Sequence, residues 1–214
     1  MLFKLGHIGQ LACLLVLVVC FTGCGRSPSD PPSQSGASQN GTIEKFFSLM
    51  NAGKKYLDQG DAKNALAIYK EAVVLVPNDP GVHLNLANCY LLSDAGAEAV
   101  READEVLSLE PNSAAAYFIK GSAYLRLLNP KESVKALENS RRIDPGVTAT
   151  FFQLGMARMG LEQWDEAVSA FQEGIRLDSN RLHSAARFLL AKSLLRAGRT
   201  EEAKLELQSH QIDV

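Results

Sequence analysis

Four histidines, four cysteines and a few acidic pairs are the side chains of this 214-residue chain that could move a proton, hold a metal or act as a nucleophile. Their spacing decides which of these chemistries is open. His7, His83, His183 and His210 stand far apart, with none of the short intervals that bring two imidazoles onto one metal. Asp165-Glu166 and Glu201-Glu202 sit where helices should begin, and there carboxylates favour the helix dipole. No glycine-rich phosphate loop follows a strand, because no strand is apparent. Cys89 has no histidine or cationic neighbour in sequence and reads as a small buried hydrophobe. No catalytic residue, metal site or cofactor is expected, and the chain is not expected to be an enzyme.

The elements that carry these residues point to binding instead. The chain is 46% hydrophobic, enough for a sizeable core, and its net charge is −2. The clusters Lys54-Lys55 and Arg141-Arg142 are short and read as solvated helix faces, so no nucleic-acid partner is expected.

The other cysteines, Cys13, Cys20 and Cys24, lie in the amino-terminal segment. Leu11 to Phe21 is wholly apolar. At about 1.5 Å per residue this run spans about 16 Å of helix, against about 30 Å of bilayer hydrocarbon. It is too short for a comfortable membrane span and suits the core of a signal peptide. Phe21-Thr22-Gly23-Cys24 then resembles the lipobox of bacterial lipoproteins, with Phe21 standing where that family usually has Leu. The resemblance implies that residues 1–23 are a signal peptide, and that Cys24 is lipidated and anchors the protein to a membrane. Gly25, where an Asp would favour the inner membrane, suggests the periplasmic face of the outer membrane of the bacterial cell envelope. The other reading is a general secretory signal cut near Gly23, leaving a soluble protein. Gly25 to Gly41 contains no large apolar residue, so residues 24–42 are expected to be the lipidated cysteine and a disordered tether of about 20–25 Å average reach.

Beyond the tether, Pro77, Pro111 and Pro145 recur at intervals of 34 residues. Aligned on them, four segments run over 46–79, 80–113, 114–147 and 148–181. The fourth place holds Leu49, His83, Tyr117 and Phe151, so His83 reads as a half-buried packing residue. The eighth place holds Gly53, Ala87, Gly121 and Gly155, and the twentieth Ala65, Ala99, Ser133 and Ala167. The eleventh holds Tyr56, Tyr90, Tyr124 and Arg158, and the twenty-fourth Tyr69, Ala103, Leu137 and Phe171. Small residues at the eighth and twentieth places let two antiparallel helices touch, and large residues fill the gaps around them. Gly60-Asp61, Asn129-Pro130 and Glu162-Gln163-Trp164 divide segments into helix pairs, with Asp61 and Asn129 as N-caps and each recurring proline just past a second helix.

This pattern resembles the tetratricopeptide repeat, a 34-residue pair of antiparallel helices. A fifth copy, over 184–210, is displaced by two residues inserted within Ser179–His183, and its polar last helix suits a cap. The expected fold is all-α, a right-handed superhelical solenoid of about five helix pairs over 43–210, with a tail at 211–214. In this family the second, fifth, sixth, ninth, twelfth and thirteenth places line the concave groove. The resemblance therefore implies a protein- or peptide-binding groove of Phe47, Met50, Asn51, Leu84, Asn85, Asn88, Phe118, Ile119, Phe152, Gln153, Met156 and Phe188. Lys54, Leu57, Leu91, Ser122, Leu125, Met159, Leu189, Lys192 and Leu195 accompany them. The amides Asn51, Asn85 and Gln153 share the sixth place and suit the backbone of an extended peptide. The other reading is that several of the apolar residues are core, since one place of register turns a helix by about 100°. The paired Lys, Arg and Asn of a carboxylate clamp are missing, with Asn85 alone in place.

The function this implies is a lipid-anchored scaffold for protein–protein interaction in the bacterial cell envelope, holding another protein or an extended peptide. A second reading is an accessory, non-catalytic subunit or module of an envelope enzyme or of a secretion or assembly complex. A third is a homodimer paired through Phe46 and Phe47.

Overall fold

A computed structural model describes residues 34–178 and 184–212. The signal sequence, Cys24, the two-residue insertion and the last two residues of the tail lie outside the described residues. The described residues form ten helices and no strand. These are α1 (Gln34–Asp58), α2 (Ala62–Leu75), α3 (Pro80–Leu92), α4 (Gly96–Leu109), α5 (Ala114–Arg126), α6 (Pro130–Ile143), α7 (Thr148–Gly160), α8 (Trp164–Leu177), α9 (Ser184–Arg196) and α10 (Thr200–Ile212). Consecutive helices pack as antiparallel hairpins, and each hairpin packs on the next.

The period is written into the backbone at each hairpin turn. Gly60, Asp94, Leu128, Glu162 and Gly198 all have positive φ, between 54° and 79°. The following N–H in each case donates to the carbonyl five residues back: Asp61 to Tyr56, Ala95 to Tyr90, Asn129 to Tyr124, Gln163 to Arg158 and Arg199 to Leu194. That bond closes the first helix of each hairpin in a Schellman turn, which needs one left-handed residue. Only the first and fifth turns use glycine for it. Two of the second helices then begin on side-chain caps: Asp61 accepts from the Asn64 amide at 3.1 Å and Asn129 from the Glu132 amide at 3.3 Å, with Pro130 opening α6. Helices α2, α4 and α6 end at Leu75, Leu109 and Ile143, two residues short of Pro77, Pro111 and Pro145.

Inside each hairpin the small and large columns face one another. A Cβ on Gly53 would lie 2.6 Å from the Tyr69 ring, on Gly121 2.5 Å from Leu137, and on Gly155 2.7 Å from the Phe171 ring. Where the second hairpin has Ala87 in place of glycine, Ala103 stands in place of the large residue, and both are buried. The eighth and twenty-fourth places thus vary together. Ala65, Ala99, Ser133 and Ala167 are fully buried, and the one hydroxyl among them donates to the Gly121 carbonyl at 2.8 Å.

Besides their hairpin partners, α3 packs on α5, α5 on α7 and α7 on α9, whereas the even helices α2 to α10 make no comparable pairs among the described residues. Odd helices crowd together on the inner face and even helices spread on the outer one, which curves the stack. The amino end departs from expectation. Helix α1 begins at Gln34, so the second half of the expected tether is helical. After Pro32 no proline interrupts the chain before Pro77, and extending an existing helix backwards gains a hydrogen bond per residue.

Candidate functional site

The inner face of the odd helices carries two open depressions. The first, of about 510 Å³, lies between α1 and α3 and is lined by Met50, Asn51, Lys54, Leu57, Asp58, Asn85, Asn88 and Leu92, with Tyr69 beneath them. The second, of about 320 Å³, is lined by Leu91 of α3, Ser122, Leu125 and Arg126 of α5, and Gln153 and Met156 of α7. The sixth, ninth, twelfth and thirteenth places supply nearly all of this lining, because at 3.6 residues per turn they share one face of a helix.

Six of the expected groove residues therefore meet in these depressions: Met50, Asn51, Asn85 and Asn88 in the first, Gln153 and Met156 in the second. Phe47 and Phe188 lie outside both and are 59% and 53% exposed. Leu84 and Phe118 are half-buried against the packing of α3, α4 and α5. Ile119 and Phe152 are each only 7% exposed and belong to the hydrophobic core rather than to a free surface. Phe152 is drawn inward by Gly174: its ring comes 2.6 Å from where a Cβ on Gly174 would stand, so it plugs the space beside α8. Phe46 is likewise buried, packed with Ala72 and Val82, and Phe47 alone of that pair faces outward.

Tyr69 is the lining residue that the groove register does not contain. It belongs to α2, is fully buried, and lies beneath the depression with its ring against Gly53, whose missing side chain leaves the room. Burial, then the nearby Cys89 and Asp58, push its hydroxyl up to about 12, so it stays protonated and able to donate. Burial also pushes the Cys89 thiol up to about 11, which disfavours its thiolate. Charges on the inner face are largely neutralised locally. Lys54 pairs with Asp58 at 3.2 Å and Arg126 with Asp94 at 3.0 Å.

Away from the groove, the residues that break the repeat columns have structural partners. His83 is half-buried, with Nδ1 at 2.7 Å from Glu102 and Nε2 at 2.8 Å from the Pro77 carbonyl. Both partners can accept, an arrangement that favours the doubly protonated, charged ring. Its pKa is raised: burial works against the charge, but the bonds to Glu102 and Pro77 and the charges of Glu102 and Glu105 outweigh it. Arg158, in the tyrosine column, reaches Glu138 of α6 at 2.6 Å. Trp164 opens α8 with the Arg196 guanidinium 5.8 Å from its ring centre. Among the described residues no group of three or more histidine, cysteine or acidic side chains is placed to hold a metal, and no helix is long and apolar enough to cross a membrane.

Solved structures share this architecture. MamA from Desulfovibrio magneticus RS-1 is 23% identical, with a TM-score of 0.70 over 78% of this chain and 93% of that one. Pseudomonas aeruginosa pilF is 19% identical, with a TM-score of 0.66 over 78% of this chain and 75% of that one. A thermophilic TPR protein of Thermus thermophilus is 19% identical, with a TM-score of 0.64 over 77% of this chain and 89% of that one. At these identities the likeness is one of fold. No curated protein sequence matches the chain. Two family models described as tetratricopeptide repeat match it, one over residues 56–120 and the other over 96–147 and 152–209. With the 34-residue period, the five Schellman turns and these matches, the chain belongs to the tetratricopeptide repeat family.

Proposed function

We propose that the chain is a lipid-anchored scaffold of the bacterial cell envelope that holds an extended segment of another protein along its concave face. The observation that carries the binding half of this reading is the row of amides and apolar side chains, Asn51, Asn85, Asn88, Gln153, Met156 and Leu92, lining two open depressions on one face. Amides both donate and accept, as a peptide backbone does, and methionine adapts to varied apolar side chains. The anchoring half rests on the apolar run and Cys24. Several acyl chains on that cysteine hold firmly, since each buried methylene adds about 0.8 kcal/mol.

Two experiments test the two halves separately. Met156→Glu combined with Phe188→Glu charges the exposed inner face without touching the core, so the variant should keep its helical circular dichroism and lose its captured partner. Retention of every partner by the folded variant sinks the groove. Cys24→Ala should abolish metabolic labelling with a fatty acid, and unchanged labelling sinks the anchor. Self-association is a second reading, favoured by Ile43 and Phe47, which stand exposed one turn apart on α1. Light scattering across a range of concentrations reads it: a constant monomer mass removes it.

A further inference from the structure

Among the described residues, two buried side-chain oxygens lack a hydrogen-bond partner: Tyr69 Oη and Ser122 Oγ. Other buried hydroxyls are satisfied. Ser133 donates to Gly121, Ser140 to Ala114 and Ser193 to Leu189, and Thr150 meets Ser140 at 3.3 Å. The two unpaired ones are the two that line the depressions, one in each. A buried unpaired hydroxyl is costly and calls for an explanation, and a ligand that completes it is one.

We propose that the groove takes a single uncharged, extended peptide segment with two apolar side chains four residues apart, one entering each depression, while backbone carbonyls accept hydrogen bonds from Tyr69 Oη and Ser122 Oγ. The inference rests on the groove reading above and adds the class of segment. Charge complementarity sets the first term. The lining cations Lys54 and Arg126 are already paired with Asp58 and Asp94, which leaves no free charge for a carboxylate or a phosphate. Each depression offers an apolar wall, Met50 and Leu57 in the first, Leu125 and Met156 in the second. The spacing follows from the helices. The first depression sits between α1 and α3, and the second is centred on α5. At about 8–10 Å between neighbouring helix axes, their centres are about 12–15 Å apart. An extended chain rises about 3.3 Å per residue and returns to one face every second residue, so an interval of four fits.

The test uses the purified full-length chain and a series of acetylated, amidated ten-residue peptides of serine and threonine that carry two leucines two to eight positions apart. Fluorescence anisotropy should show the tightest binding at an interval of four. Tyr69→Phe and Ser122→Ala should each weaken that peptide about fivefold. Without peptide, neither variant should melt below the wild type, because neither loses a bond. Phenylalanine already occupies the same place over glycine at Phe171, so Tyr69→Phe has a native precedent in this fold. Equal binding at all intervals, unchanged affinity in Tyr69→Phe, or a lower melting temperature of the free variant overturns the proposal. Absence of binding to any of the peptides, alongside partner capture that Met156→Glu with Phe188→Glu abolishes, overturns it while leaving the groove reading in place.

Discussion

In the first hairpin Tyr69 lies over Gly53, and in the fourth Phe171 lies over Gly155. The backbone problem is the same: two helices approach until one side needs no Cβ, and an aromatic ring fills the cleft. The outcomes differ. Tyr69 carries an oxygen through the gap to the floor of the larger inner depression. Phe171 ends among Leu190, Ala191 and Leu194, and Phe152 beside it is absorbed into the same core. One hairpin leaves an unmet polar atom under an open surface, and the other closes with apolar packing. The repeat columns specify packing, and the recognition chemistry lies in atoms that the columns do not constrain.

The largest expected effect separates core from surface at the carboxyl-terminal end. Phe152→Glu buries a charge in the plug and should cost about 3–5 kcal/mol or more, whereas Phe188→Glu should change stability by less than about 0.5 kcal/mol. Urea unfolding checks both, and similar midpoints would erase the distinction. Next, Gly155→Ala should destabilise by about 1–3 kcal/mol, despite a gain of about 1 kcal/mol in helix propensity, because the Phe171 ring cannot move away. Adding Phe171→Ala recreates the Ala87 and Ala103 pairing of the second hairpin, so the double variant should lose less than the sum of the two singles.

Smaller effects belong to the turns. Leu128 and Glu162 adopt the left-handed conformation that Gly60 and Gly198 adopt without strain. Leu128→Gly and Glu162→Gly should each stabilise by up to about 1 kcal/mol, and Gly60→Ala should destabilise by a similar amount, as read from thermal unfolding. The smallest effect is His83. Its folded pKa lies above 6.5, so its contribution is complete below that value and is lost as pH rises through the folded pKa. His83→Gln should flatten that part of the stability profile, and an unchanged slope would mean that the Glu102 contact carries no charge.

The helix pairs, their boundaries and the small columns were legible from the sequence, because a 34-residue period repeats the same constraint until chance is excluded. Asn51, Asn85, Asn88, Gln153 and Met156 could be placed on the inner face by register alone. Ile119 and Phe152 could not: Ile119 shares the sixth place with Asn51, Asn85 and Gln153, and Phe152 the fifth with Met50, so register does not separate them and burial there is set by the packing around each repeat. Gly174 is what admits the Phe152 ring. Tyr69 was hidden for a related reason. It belongs to an outer helix, and only the absence of a Cβ on Gly53 lets its ring lie so close beneath the inner depression. The start of α1 at Gln34 was missed because composition reports what cannot form a core, while a helix can grow outward from a core that already exists.

Lys45 joins Glu71 on α2 at 2.7 Å; α2 runs only as far as Leu75 beyond that contact, whereas α1 runs back to Gln34, so the first turns of α1 project past the first hairpin. At about 1.5 Å per residue those turns are a mast about 10 Å long. A chain gripped at its amino end by a slack leash would let its trough face any direction. A mast continuous with the stack transmits rotation, so the bearing of the trough follows whatever grips the helix at Gln34.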